Sequence, residues 1–332
     1  MSRAPTAVLL LLLCMACAGQ PPVATAPADA GAEGVDAGLP ADGGLELPDA
    51  GAAVADAGLP DAGYVPPPVL SERPYRLVVP VGYTPSTPVP LVVLLHGFGF
   101  SSAMQDGWFG FSDEAQARTF LLALPEGTST MTGQQFWNAT DGCCAAGADV
   151  DDVGYLSAVI ADVKAKYAVD GRKVFLVGHS NGGFMDHAFA CARADEVAAI
   201  VSFAGATWAD AAKCQPSRPV SVVQLHGNAD AVVLYLGGYT PRGTGPYPSA
   251  AQTVATWAQE NGCAGTDLQR VEGNLDLNAD VLLAETAREA YPGCPAEGAV
   301  ELWTAWGGSH APLLTSDFAP TLVNWLFAHA RQ

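Results

Sequence analysis

The stretch KVFLVG (Lys173–Gly178) is an apolar run that passes directly into GHSNG (Gly178–Gly182) and then into a helix-like pattern ending near Arg193. Few local folds accept that order. A short apolar run bounded by glycine reads as a buried strand. Gly178 and Gly182 remove side chains where a sharp turn brings backbone segments together. Ser180 is then expected to take a strained conformation and project its hydroxyl over the edge of a sheet, as a strand–turn–helix serine motif requires. Gly-x-Ser-x-Gly on composition alone is a weak signal in a glycine-rich chain. The flanking strand and helix give it weight.

The same rhythm repeats along the chain. Strands are expected at RLVVPV (Arg76–Val81), LVVLLHG (Leu91–Gly97), FLLALPEG (Phe120–Gly127), AAIVSFAG (Ala198–Gly205), SVVQLHG (Ser221–Gly227) and VELWTAWG (Val300–Gly307). Helices are expected at Ser112–Thr119, Asp152–Tyr167, Gly182–Arg193, Ser249–Glu260 and Asp317–Ala330. The strands are continuous apolar runs rather than alternations, which points to a sheet covered on both faces. The fold class is therefore α/β: a mostly parallel, doubly wound sheet with helices on both faces, built from residues 71–332. Residues 261–295 break the alternation and read as an insertion stapled at its base by Cys263 and Cys294.

The first residues, MSRAPTAVLLLLLCMACAGQ, hold one arginine, a short apolar core at Val8–Leu13 and small residues around Cys17. The core is too short to span a bilayer, so residues 1–19 read as an export signal. Cys17 is a lipidation candidate, although Cys14 stands where such signals usually carry leucine. A lipid there would anchor the chain rather than thread it through a membrane. Residues 20–70 repeat Asp-Ala-Gly at Asp29, Asp36, Asp49, Asp56 and Asp61, with only Tyr64 aromatic. Such a segment cannot bury enough apolar surface to order itself, and it reads as a disordered acidic spacer. The Asp spacing lacks a calcium-loop pattern.

Of eight cysteines, six lie in the expected domain: Cys143, Cys144, Cys191, Cys214, Cys263 and Cys294. An even number in an exported chain suggests three disulfides, for which fifteen connectivities exist. The favoured pairs are Cys263–Cys294 and Cys191–Cys214, which leaves the adjacent Cys143 and Cys144. No Cys-x-x-Cys pair sits near a histidine cluster, so no metal is expected. The net charge is −19, and residues 71–332 still carry 26 acidic against 14 basic groups. That balance disfavours a nucleic-acid partner.

A serine hydroxyl needs a histidine base, and the base needs an orienting carboxylate. Among six histidines, His310 in WGGSHAP follows the last strand at the correct sheet edge. His187 and His329 lie in helices, His179 abuts the serine and reads as pointing away from it, and His96 and His226 end buried strands. Asp230, in QLHGNADAVV, follows a strand between Ser180 and His310 and is the expected acid; Asp210 in ATWADAAKC is its rival. Two backbone N–H groups should receive a developing oxyanion: that of Asn181, and that of Phe98 in LLHGFGFSS. Asp151 and Asp152 precede a helix and read as caps rather than acid–base groups. Asn138-Ala139-Thr140 is a formal glycosylation signal.

The chain resembles the poly(3-hydroxybutyrate) depolymerase and feruloyl esterase family of secreted α/β-hydrolases. The resemblance is carried by LVVLLHG, ALPEG, FWNATDGCC, DVDDVGYLSAVIADV, VFLVGHSNGGFM, AFACARADEVAAIVSFAG, PVSVVQLHGNAD, TWAQENGC and GGSH, from about Tyr75 to Asn324. It implies an α/β-hydrolase fold, whose order of catalytic groups is that of Ser180, Asp230 and His310. It also implies an oxyanion N–H at Phe98 and no cofactor. Trp137 and Asn138 lie in a segment the family keeps near its active site and are substrate-binding candidates, with core packing the other reading of Trp137; Tyr239 in YLGGYTP is a third. Two departures stand out. The Trp-Pro pair usual after the family's histidine is replaced by APLLTS, and the oxyanion loop is FGFSS rather than one with cysteine and threonines.

The expected activity is therefore a serine carboxylesterase, outside the cell or on the envelope's outer surface and lipid-anchored. Its expected substrates are feruloyl, acetyl or other short-chain esters of polysaccharide. A polyester depolymerase is the alternative, ranked lower because no second binding module is evident after Gln332. A serine peptidase and a non-enzymatic surface protein rank below both. Oligomeric state is not readable from the sequence.

Overall fold

The computed structural model describes residues 64–144 and 149–332. The expected export signal with Cys17 and linker residues 20–63 lie outside the described residues. From Tyr64 the elements run α1 (Pro68–Glu72), β1 (Arg76–Val78), β2 (Val89–Leu95), α2 (Ser102–Phe109), α3 (Phe111–Arg118) and β3 (Leu121–Leu124). A short hairpin, β4 (Thr128–Ser129) and β5 (Gln135–Phe136), precedes α4 (Asp152–Lys166), β6 (Val169–His179) and α5 (Asn181–Ala192). Then come β7 (Ala199–Phe203), β8 (Ser221–Gly227), α6 (Ala250–Glu260), β9 (Gln269–Arg270), β10 (Thr286–Ala290), β11 (Val300–Ala305) and α7 (Phe318–Ala328).

Nine strands form one sheet in the order β1-β3-β2-β6-β7-β8-β11-β10-β9. The centre, from β3 to β11, is parallel, and the two flanks are antiparallel. This is the α/β-hydrolase arrangement. The apolar runs explain why both faces are covered. Successive strand residues point to opposite faces, so Leu91, Val93, Leu95, Val174 and Leu176 pack with α4, α5 and α6, including Val159, Phe189 and Trp257. Their neighbours Val92, Leu94, Phe175 and Val177 pack with Phe109, Phe111, Phe318 and Leu322 on the other side. Helix α5 is buried from Asn181 through Cys191, which is why its sequence shows no solvent-facing polar stripe and its polar residues Asn181, Asp186 and His187 are buried too.

The structure adds three features to the sequence reading. The spacer boundary near residue 70 falls inside α1, whose Leu70 is buried against the first core layer. Helix α2 was not anticipated, although Ser101 caps it by accepting from the Met104 N–H and Gly110 ends it in a left-handed turn. Residues 261–295, read as an insertion stapled at its base, also extend the sheet: β10 pairs with β11 over five residues and β9 adds a further strand outside it. The strand TAREA was hidden because an antiparallel strand on the flank of a sheet is half exposed and need not be apolar. The described residues contain disulfides Cys143–Cys144, Cys191–Cys214 and Cys263–Cys294.

Candidate active site

The four chain segments that matter leave the sheet at one edge, the C-terminal ends of β2, β6, β8 and β11. Ser180 stands between β6 and α5 with φ 54° and ψ −118°, a conformation few non-glycine residues adopt. Its surroundings hold it there. The Ser180 N–H donates to the Phe203 carbonyl at 2.8 Å, and its own carbonyl accepts from Phe184 N–H at 2.9 Å. A Cβ on Gly178 would collide with the Gly182 backbone, and one on Gly182 with the Leu95 and His96 carbonyls. The two glycines of the motif are thus required by strand–helix contact, not by flexibility.

Asp230 lies three residues beyond β8, and His310 five beyond β11. Their loops interlock: the Ala229 N–H donates to the Gly308 carbonyl at 3.0 Å, and the Gly307 N–H to Asn228 Oδ1 at 2.6 Å. Gly227 packs so closely on Gly308 that a Cβ on Gly227 would collide with the Gly308 carbonyl. His310 Nδ1 is 2.7 Å from Asp230 Oδ2, and His310 Nε2 is 2.9 Å from Ser180 Oγ. The carboxylate can only accept, so Nδ1 carries the proton and Nε2 offers its lone pair to the serine hydroxyl.

Burial by itself would raise the Asp230 pKa. N–H groups of His226, His310 and Val232 outweigh it and hold the carboxyl well below the usual range. Asp230 Oδ1 also accepts from the Val232 and Val233 amides at 2.8 and 2.9 Å, so the carboxylate is fixed in plane. His179 Nε2 donates to the His310 carbonyl at 2.8 Å. Burial pushes His179 down to about 3, which keeps that ring neutral. The residue expected merely to point away from Ser180 therefore ties down the backbone of His310.

Gly97 backs onto the elbow; a Cβ there would stand 3.6 Å from Ser180 Cβ. The amides around Phe98 are engaged: Gly97 N–H donates to Gln105 Oε1, Gly99 N–H to the Gln135 carbonyl and Phe100 N–H to the Gly97 carbonyl. The Phe98 ring packs by the Cys143–Cys144 cluster, with the Arg242 guanidinium 4.0 Å above it. Asn181 opens α5, so its N–H is among those a helix leaves without an intrahelical acceptor. Its side chain makes a two-way bond with the Trp137 backbone, accepting at 2.7 Å and donating at 2.9 Å.

The remaining candidates fall elsewhere. Trp137 is fully buried, with Nε1–H donating to the His96 carbonyl at 2.9 Å and its ring stacked on Tyr155. It braces the loop beneath Phe98 and is packed in the core, the second of its two readings. Asn138 ties Asp152 and the Val150 carbonyl together, and Tyr239 is exposed on the loop after Asp230. Asp151 caps α4 by accepting from Gly154 N–H. Asp152 is instead a buried partner of Arg73 at 2.7 Å. Asp210 caps the short 3-10 turn Ala211–Lys213 on the surface and takes no part in orienting His310. Among the described residues, no group of three or more His, Cys, Asp or Glu is arranged to hold a metal. No described helix is long and apolar enough to cross a membrane.

No family model matches the chain. It is 31% identical over 241 residues to feruloyl esterase B of Piromyces equi, covering 70% of this chain and 41% of that protein. It is 29% identical over 206 residues to feruloyl esterase C of Emericella nidulans, covering 60% of this chain and 66% of that one. The match thus spans less than half of the first relative and about two thirds of the second. The chain is related to the α/β-hydrolase esterases. Among solved structures, an acetyl xylan esterase from Aspergillus awamori superposes with a TM-score of 0.55 at 14% identity, covering 76% of this chain and 93% of that one, a likeness of fold.

Proposed function

We propose that this α/β-hydrolase is a serine carboxylesterase that cleaves feruloyl, acetyl or other short-chain esters attached to polysaccharide. The observation that carries the reading is the line from Ser180 Oγ through His310 to Asp230, at 2.9 and 2.7 Å. His310 Nε2 takes the hydroxyl proton as Ser180 attacks the ester carbonyl. Asp230 holds the ring in the tautomer with Nδ1 protonated and stabilises the imidazolium that forms. The backbone N–H groups of Asn181 and Phe98 receive the charge on the tetrahedral intermediate. His310 returns its proton to the departing alcohol, and then activates the water that clears the acyl-enzyme. No step calls for a cofactor.

Three disulfides support an oxidising compartment, and with it an exported or envelope-bound enzyme; Cys17 in the export signal is the proposed lipid attachment point. Replacing Ser180 with Ala should abolish turnover of methyl ferulate and acetylated xylan while leaving the melting curve in place. Unchanged turnover in that variant would refute the mechanism. Amorphous polyhydroxybutyrate belongs in the same panel: release of soluble product from it alone would move the activity to polyester.

A further inference from the structure

Behind Asp230 a chain of buried polar side chains crosses the molecule and has only one consistent direction. Trp257 on α6 donates its indole N–H to His187 Nδ1 at 2.9 Å. An indole nitrogen can only donate, so His187 Nδ1 must accept. Burial pushes His187 down to about 4, and the neutral ring then carries its proton on Nε2. That N–H donates to Gln224 Oε1 at 2.9 Å, which fixes the amide's orientation. Gln224 Nε2 donates to the Gly205 carbonyl at 2.8 Å and lies 3.3 Å from His226 Nδ1. His226 Nδ1 is thereby the acceptor, and its proton sits on Nε2. From there it is shared between the Val233 carbonyl at 2.8 Å and Asp230 Oδ2 at 3.4 Å. His187, Gln224 and His226 are all at most 1% exposed.

We infer that His226, held in one tautomer by the relay Trp257–His187–Gln224, is a positioning residue that sets how strongly Asp230 acts on His310. The inference rests on Asp230 being the acid of the proposed mechanism. The physical reason is competition for one oxygen. Asp230 Oδ2 accepts from His310 Nδ1–H at 2.7 Å and also faces His226 Nε2–H at 3.4 Å, so each N–H weakens the charge felt by the other. Gln224 and His226 are two apart on β8 and share a face, which lets a strand carry the relay to the sheet edge. A fully partnered buried network is rigid, and a broken one leaves costly unpaired groups. The titratable groups facing His226 are Asp230 and His310 on the site loops, His179 at the elbow, His187 through Gln224, and Tyr235, whose ring lies edge-on at 5.6 Å.

The test uses the full chain with His226→Leu, His226→Gln and Gln224→Met. Removing the second donor concentrates the carboxylate on His310 and makes the base stronger. His226→Leu should move the acid limb of the kcat/KM profile up by about half a pH unit, and loss of the ring packed behind Asp230 should disturb the carboxylate's placement and lower kcat by about tenfold with KM unchanged. His226→Gln keeps an N–H donor and should restore most of both. Gln224→Met, which leaves His226 in place but frees its tautomer, should show a smaller shift in the same direction and serves if His226→Leu does not fold. An unmoved acid limb in both His226→Leu and Gln224→Met, or equal impairment in His226→Gln, would overturn the inference. Nitrogen-15 shifts of the wild-type rings provide a readout independent of activity: His226 should be protonated on Nε2. A proton on Nδ1 would overturn the relay even in an active enzyme, whereas inactivity on every ester with His226 protonated on Nε2 would strike the esterase reading and leave the relay standing.

Discussion

Asp230→Asn is the change whose consequence follows most directly from the geometry. Asp230 Oδ1 is pinned by the Val232 and Val233 amides at 2.8 and 2.9 Å, so the oxygen of an asparagine must remain there. Its NH2 then takes the place of Oδ2, 2.7 Å from His310 Nδ1. Two N–H groups cannot face each other, so the His310 proton shifts to Nε2, the atom 2.9 Å from Ser180 Oγ. A protonated Nε2 cannot accept the serine proton. Loss of the correct tautomer costs about 10⁴ in kcat in a comparable serine triad, or about 5 kcal/mol of transition-state stabilisation. KM should change little, because the acid does not touch substrate. Initial rates on a soluble aryl ester from pH 5 to 9 provide the measurement, with Asp210→Asn as a control expected to stay within about twofold of wild type.

Stability gives a second signature of the same change. The Asp230 carboxyl is held below its usual range, so its contribution is present above about pH 4 and is lost as pH falls further. The Asn variant should melt lower than wild type at pH 7, with the gap closing in acid. A kcat loss under about tenfold, or an equal loss in Asp210→Asn, would refute the assignment of the acid.

Gly182→Ala drives a Cβ into the Leu95 and His96 carbonyls and should destabilise the domain by about 2 kcal/mol or more, whereas Gly107→Ala, with open space in α2, should be neutral or stabilising by thermal melting. Asp186 is fully buried beneath the elbow, and burial raises its pKa well above the ordinary value against a weaker pull from the Gly178 N–H. Its stability contribution is present below about pH 4 and lost as pH rises towards the folded value. Asp186→Asn should therefore gain in melting temperature relative to wild type as pH climbs from 4 to 8, and a constant difference would contradict this. Replacing Cys263 and Cys294 by Ser opens a loop of sequence separation 31, with an expected loss of about 3–4 kcal/mol in denaturant unfolding.

Local sequence carried much of this protein. Continuous apolar runs ending in glycine specified buried parallel strands, because a strand covered on both faces has no polar side to show. GHSNG marked a tight strand-to-helix turn, since only glycine fits where Gly178 meets Gly182 and Gly182 meets β2. HGNAD and GGSH placed an acid and a histidine after later strands, and the fold brings both to Ser180. Strand β10, on the antiparallel flank, was less legible, because a half-exposed antiparallel strand leaves no apolar run. Trp137 shows the other limit: a tryptophan beside an active-site loop looks the same in sequence whether its ring faces a cleft or the core, and here it is buried under the Phe98 loop. The tie from His179 to the His310 carbonyl and the relay from Trp257 through His187 and Gln224 to His226 join residues 131, 70, 37 and 2 positions apart. Periodicity and turn chemistry are local and can be read along the chain. A hydrogen-bond direction depends on which donor meets which acceptor, and that was decided only when the packed sheet and helices brought those rings together.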